Sequence, residues 1–176
     1  MKDLILFGDC KKTLSAFLPK SARMCVTSPP YYGLRDYGGE DKQIGQEDTP
    51  EEFINNLVEV FREVRDILTD DGTLWVNLGD SYYNYRPGKG QSYPKQTVSK
   101  TKQDLPDKCN KRGNKLDGLK EKDLIGIPWL LAFALRKDGW YLRQDIIWHK
   151  PNPMPESVKD RCTKAHEYIF LFSKNK

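Results

Sequence analysis

Residues 25–39 read CVTSPPYYGLRDYGG, and the fold turns on this stretch. An apolar run over residues 23–27 stops abruptly at Ser28-Pro29-Pro30. Two tyrosines and a polar, glycine-rich segment follow. Each proline lacks an N–H and holds φ at about −65°, so the chain cannot continue a ladder and the turn is stiff. The stretch therefore reads as a buried strand with a rigid mouth. In open α/β sheets, ligands bind at the carboxyl ends of strands, so this mouth is a candidate site.

The flanking sequence completes an α/β pattern. Upstream, residues 4–7 read as a short buried strand stopped by Gly8-Asp9, and residues 13–18 as a short helix ended by Pro19. Downstream, Thr49-Pro50-Glu51-Glu52 marks a helix start. Thr49 is the N-cap, Pro50 suits the first turn, and Glu52 completes a capping box. Phe53, Leu57, Val60, Phe61, Val64, Ile67 and Leu68 then recur at helical spacing. Asp70-Asp71-Gly72 reads as a turn, and residues 73–78 as a strand ending at Gly79-Asp80-Ser81. Residues 123–137 form a second apolar helix, regular from near Pro128. Residues 141–149 and 167–173 are the fourth and fifth strands. No helical pattern separates them, so they are expected to pair antiparallel at one edge. The alternation predicts a layered α/β fold with a mainly parallel sheet.

Composition narrows the function classes. At 176 residues, with 38% hydrophobic and 31% charged residues, the chain can bury a core and reads as one soluble domain. It holds no run of the roughly 20 apolar residues that a membrane span needs. Its first apolar run is too short for a secretory leader, so the expected location is cytoplasmic. Cys10, Cys25, Cys109 and Cys162 are scattered, without C-x-x-C pairs, so neither a zinc site nor a disulfide framework is expected. The net charge of +4 is uneven: residues 84–122 carry +7 and the remainder −3. Residues 84–122 show no sustained period and read as a basic, flexible loop. They suit either a polyanion partner or a solvated linker.

Three strand ends carry polar punctuation: Gly8-Asp9-Cys10, Ser28-Pro29-Pro30-Tyr31 and Gly79-Asp80-Ser81. Asp9 can accept from an amine or hydroxyl, although capping the next helix is the simpler role. At the second mouth, the Pro29 carbonyl and the Ser28 hydroxyl are two oxygens beside the faces of Tyr31 and Tyr32. That set suits a flat ring bearing an exocyclic amine, such as a base drawn out of its stack. A rigid turn with aromatic packing accounts for the same residues more simply.

The segment TSPPYYGLRDYG resembles the catalytic motif of the amino-group DNA methyltransferases, the N4-cytosine and N6-adenine enzymes. LFGDC before it resembles further family segments in family order, as do TLWVNLGDSY, IPWLLAFALRKDGWYLRQDIIWHKPNPMPESVKDR and AHEYIFLFSK after it. The order is similar to the permuted β group, in which the catalytic half comes first. The resemblance implies a Rossmann-like, S-adenosylmethionine-dependent fold, partial here, with residues 1–176 as its catalytic part. It implies that Ser28 and the Pro29 carbonyl hold the target amine, with Pro30 stiffening the turn and Tyr31 stacking on the flipped base. Asp9 and Cys10 match the segment that touches the cofactor adenine. Lys150, Pro151 and Asn152 match the far wall of the base pocket. Transfer is direct, because an aligned amine attacks the sulfonium methyl without a covalent enzyme intermediate. Double-stranded DNA is the implied partner, with the lysines of the basic loop on phosphates. No metal is implied.

Ser28 leans toward cytosine N4 over adenine N6. It also separates the motif from that of protein glutamine methyltransferases, in which Asn is usual at that position. The family's Phe-x-Gly-x-Gly cofactor loop has no match: Gly38-Gly39, Gly88-Lys89-Gly90 and Gly126 lack the spacing. Three readings follow. The chain is half of a split enzyme whose partner chain supplies that loop, an inactive remnant, or a DNA- or partner-binding module. The absent strands would leave an open sheet edge, so the isolated chain is expected to oligomerise or to be marginally stable.

Overall fold

The computed structural model describes residues 3, 5–34, 43–83, 116 and 118–176. In chain order the elements are α1 (Cys10–Leu14), β1 (Ala22–Thr27), α2 (Pro50–Ile67), β2 (Leu68–Leu78), α3 (Ile127–Lys137), β3 (Tyr141–His149) and β4 (His166–Ser173). Most of the basic loop expected at 84–122 lies outside the described residues, as do Leu4, Gly38-Gly39, Gly88-Lys89-Gly90 and Cys109.

Local chemistry sets the helix ends. The Thr49 hydroxyl accepts from the Glu52 N–H at 3.1 Å, and Pro50 occupies the first turn, so α2 begins where expected. Glu51 and Glu52 in that turn oppose the positive end of the helix dipole. The buried stripe of α2 is Phe53, Ile54, Leu57, Val58, Phe61 and Val64. Val60 and Ile67, expected in it, are only partly buried. The first helix starts and ends earlier than expected. The Asp9 carboxylate accepts from the Lys11 N–H at 2.9 Å, which caps α1 and moves its start to Cys10.

Two strand expectations are corrected. Residues 5–7 form no strand, and Ile5 and Phe7 are 79% and 90% exposed. An apolar run becomes a strand only when a ladder partner meets its backbone groups. Among the described residues β1 pairs with β2 alone, and no strand meets residues 5–7. Asp70-Asp71-Gly72 is not a turn between elements but part of β2. Ala22 pairs with Leu68 and Met24 with Thr73, so β2 bulges between those two rungs. Gly72 is needed there, because a Cβ on it would sit 2.9 Å from both the Leu68 Cβ and the Thr69 carbonyl oxygen.

The sheet has four strands in the order β1-β2-β4-β3. It is mixed rather than mainly parallel. The helical crossover α2 gives the parallel pair β1–β2. No helix joins β3 to β4, so β4 returns antiparallel to β3 and lies against β2, also antiparallel. The expected antiparallel pairing of the last two strands is present. Helices α2 and α3 cover one face, where Leu74, Val76, Leu78, Phe170 and Phe172 meet Phe53, Phe61, Leu131 and Leu135 in the core. Off that core, Met24 and Val26 of β1 are 59% and 70% exposed.

Strand directions now fix where chemistry gathers. The carboxyl ends of β1, β2 and β3 and the amino end of β4 lie along one end of the sheet. Among the described residues, no helix is long and apolar enough to cross a membrane.

Candidate functional site at the strand mouths

One residue near each of the four strand ends enters a single hydrogen-bonded network. Ser28 follows β1, Asn77 is the last residue but one of β2, Lys150 follows β3, and Glu167 is the second residue of β4. Tyr31 joins them. Its hydroxyl lies 3.1 Å from Glu167 Oε2 and 3.2 Å from Asn77 Oδ1. The Ser28 hydroxyl reaches the same Asn77 oxygen at 3.4 Å. Asn77 Nδ2 donates to the Tyr168 carbonyl at 3.2 Å, which turns the amide oxygen toward Ser28 and Tyr31. Glu167 Oε1 accepts from Lys150 Nζ.

Register explains the convergence. Thr27 pairs with Val76, so the next residue, Ser28, comes level with Asn77. Trp148 pairs with Glu167, and the Lys150 N–H donates to the Ala165 carbonyl at 2.8 Å, extending the β3–β4 ladder past the strand end. Lys150 is thereby held beside Glu167.

The two tyrosines part company. Tyr31 turns toward the strand ends, its ring laid against Gly79: a Cβ there would sit 2.5 Å from one ring carbon and 2.9 Å from another. Tyr32 turns toward the start of α2, its ring centroid 5.5 Å from that of Phe53. The expected second aromatic face is thus a packing residue that anchors the loop. Pro29 is buried and Pro30 exposed. The Gly33 N–H donates to the Gly45 carbonyl at 2.8 Å, fastening the turn to residues 43–48.

Electrostatics follow from these contacts. Burial pushes the Tyr31 phenol up, and the Glu167 charge and hydrogen bond push the same way, against the Ser28 hydroxyl and the Gly79 N–H. For Glu167, burial alone would raise the carboxyl. The bonds from Lys150 and Tyr31 and the Lys150 charge outweigh it and hold the group below its ordinary value. The Tyr32 phenol is pushed up to about 12 by burial and by the carboxylates of Glu51, Glu47, Asp48 and Glu52.

Other expected residues fall apart from this network. Among the described residues, no hydrogen bond ties Asp9 or Cys10 to it. Both are exposed, and one Asp9 oxygen caps α1. Pro151 and Asn152 are exposed beyond Lys150. Asp80, at the third polar strand end, caps α3 from a distance: its Oδ1 accepts from the N–H groups of Ser81 (2.9 Å), Gly126 (3.0 Å) and Ile127 (3.0 Å). Sequence reasoning missed Asn77 and Glu167. The available signal was a polar residue next to the mouth end of an apolar run: Asn77 in LWVNL and Glu167 just before YIFLF. No group of three or more metal-ligating side chains occurs among the described residues.

The architecture is that of S-adenosylmethionine-dependent methyltransferases, in part. It matches the cytosine-N4-specific PvuII DNA methyltransferase with a TM-score of 0.62 at 19% identity, over 95% of this chain and 47% of that one. It matches a putative DNA modification methylase of Thermus thermophilus, TTHA0409, solved with S-adenosyl-L-methionine, with a TM-score of 0.60 at 23% identity, over 96% and 52%. Residues 22–176 match the N6/N4 DNA methylase family, and the chain belongs to it. It is 51% identical over 168 residues to the type II methyltransferase M.Cfr9I of Citrobacter freundii, covering 96% of this chain and 53% of that protein. The chain spans about half the length of the curated relatives it matches.

Proposed function

We propose that this chain is the catalytic part of a type II DNA methyltransferase, acting on the exocyclic amine of a base flipped from double-stranded DNA, with cytosine N4 preferred over adenine N6. The observation that carries the proposal is the β1 mouth. There the Ser28 hydroxyl reaches the Asn77 amide oxygen beside the Tyr31 hydroxyl, and the Tyr31 ring is seated on Gly79 and tied to Glu167, with Pro29 buried between Ser28 and Pro30. Family membership and the kinship to type II methyltransferases support the same reading.

In this proposal the Ser28 hydroxyl and the Pro29 carbonyl accept the amine hydrogens and align its lone pair, and the Tyr31 face receives the base. Pro30 keeps the turn rigid, and Lys150, Pro151 and Asn152 form the far wall of the base pocket. S-adenosylmethionine, when bound, supplies the methyl group. The residues present fit one end of it: Asp9 and Cys10 are exposed at the start of α1, and the Asp9 oxygen not used in the cap is available to accept from an adenine amine. A further segment or partner chain carrying a glycine-rich cofactor loop completes the Rossmann-like unit, and the assembled enzyme is cytoplasmic.

The test is methyl transfer from labelled S-adenosylmethionine to mixed-sequence DNA, followed by digestion and separation of nucleosides. Label in N4-methylcytosine is the expected product, from the chain alone or once the complementary half is added. Label in neither methylated base under both conditions would overturn the proposal and favour a binding module.

A further inference from the structure

The Glu167–Lys150 pair stands out because its own energetics are modest. Lys150 is 42% exposed at its side chain and Glu167 19%, and ion pairs this open contribute little to stability. Yet each carboxylate oxygen has a partner: Oε1 accepts from Lys150, Oε2 from the Tyr31 hydroxyl at 3.1 Å. A phenol has one proton to donate, and an ionised acceptor takes it in preference to the neutral amide of Asn77. Both ends of the Tyr31 side chain are then defined, its ring by Gly79 and its hydroxyl by Glu167.

We infer that Glu167 is a positioning residue for Tyr31, and that Lys150 acts on the reaction through Glu167. This rests on the reading above, in which the Tyr31 ring receives the flipped base. A stacking ring free to rotate about its side-chain bonds would lose that freedom when the base enters. A ring held beforehand does not, so less of the stacking energy is consumed in ordering it. Lys150 is thereby given a second role beside the pocket wall: it holds one carboxylate oxygen of Glu167 while the other meets the phenol.

The experiment has two independent readouts. With tyrosine labelled by carbon-13 at the ring ζ carbon, Tyr31 is identified by its loss in Tyr31→Phe and titrated by NMR in wild type, Glu167→Gln, Glu167→Met and Lys150→Met. The expected result is a lower Tyr31 titration midpoint in Glu167→Met and a smaller displacement in Lys150→Met. Midpoints equal to wild type in both Glu167 variants would overturn the inference, whether or not the chain has any activity.

The second readout is methyl transfer by the complete enzyme. Glu167→Met is expected to lower kcat about tenfold, the scale of one charge-assisted hydrogen bond, with the KM for S-adenosylmethionine unchanged. In a Tyr31→Phe background the same substitution is expected to cost nothing further. An undiminished loss in that background would show that Glu167 acts by another route and refute the positioning role. Absence of methyl transfer in wild type would count against the proposed function, and the titration would then decide the inference alone. Glu167→Gln, nearly isosteric, guards against misfolding of the larger change.

Discussion

Gly79→Ala is the sharpest probe of how the candidate site is built. Gly79 does not sit in the left-handed region, so alanine is compatible with its backbone. On backbone grounds the substitution would stabilise the protein by about 0.4–1 kcal/mol, because the unfolded chain loses freedom. The Tyr31 ring reverses that sign. A Cβ on residue 79 would lie 2.5, 2.9 and 3.2 Å from three ring carbons, well inside van der Waals contact. The ring cannot simply move aside, since its hydroxyl is tied to Glu167. Overpacking of this kind costs about 1–3 kcal/mol, so the net loss is expected to be about 1–2 kcal/mol. Urea denaturation of four proteins measures it: wild type, Gly79→Ala, Tyr31→Ala and the double variant. In the Tyr31→Ala background the clash has no partner, and Gly79→Ala is expected to be neutral or stabilising. Equal costs in the two backgrounds would refute the claim that Gly79 exists to seat the Tyr31 ring.

Further outcomes follow from the same contacts. Glu167 is held below its ordinary value of 4.5 when folded, so its contribution to stability is present above that pH and fades as pH falls through the lower folded value. Glu167→Gln is therefore expected to flatten acid unfolding below about pH 4.5, and an unchanged profile would contradict the ion pair. Tyr32 behaves in the opposite sense. Its phenol rises from 10 to about 12 on folding, so its contribution is full below pH 10 and is lost as pH climbs toward 12, which ultraviolet titration against Tyr32→Phe would reveal. Tyr32→Ala, which removes the ring against Phe53, is expected to cost about 2 kcal/mol for a half-buried aromatic, read as a shift in the urea midpoint. Asp80→Ala strips three backbone N–H groups of their acceptor and is expected to cost about 1–2 kcal/mol, with faster hydrogen exchange at Gly126 and Ile127.

Much of this protein is written in local chemistry that needs no partner. Thr49, Pro50 and Glu52 define the start of α2 by themselves, and the two prolines after Thr27 end β1. The apolar runs of β2, β3 and β4 declare themselves as strands. From the β1 mouth alone, Ser28, Pro29 and Tyr31 stand out as candidates, and the order of segments points to the methylase family that the chain belongs to.

Other features depend on residues far apart in sequence. An apolar run at residues 5–7 is a strand only if another strand meets it, and among the described residues none does. Asp70-Asp71-Gly72 has the composition of a turn, yet the β1 register draws it into a bulge of β2. The direction of β4 followed from its connection, but its place between β2 and β3 did not, and that place carries Glu167 to Tyr31, 136 residues away in the chain. The sequence names the tyrosine at the mouth. Only the folded sheet supplies what holds it, because a hydrogen bond between strand ends depends on strand order and register, which are properties of packing rather than of any one segment.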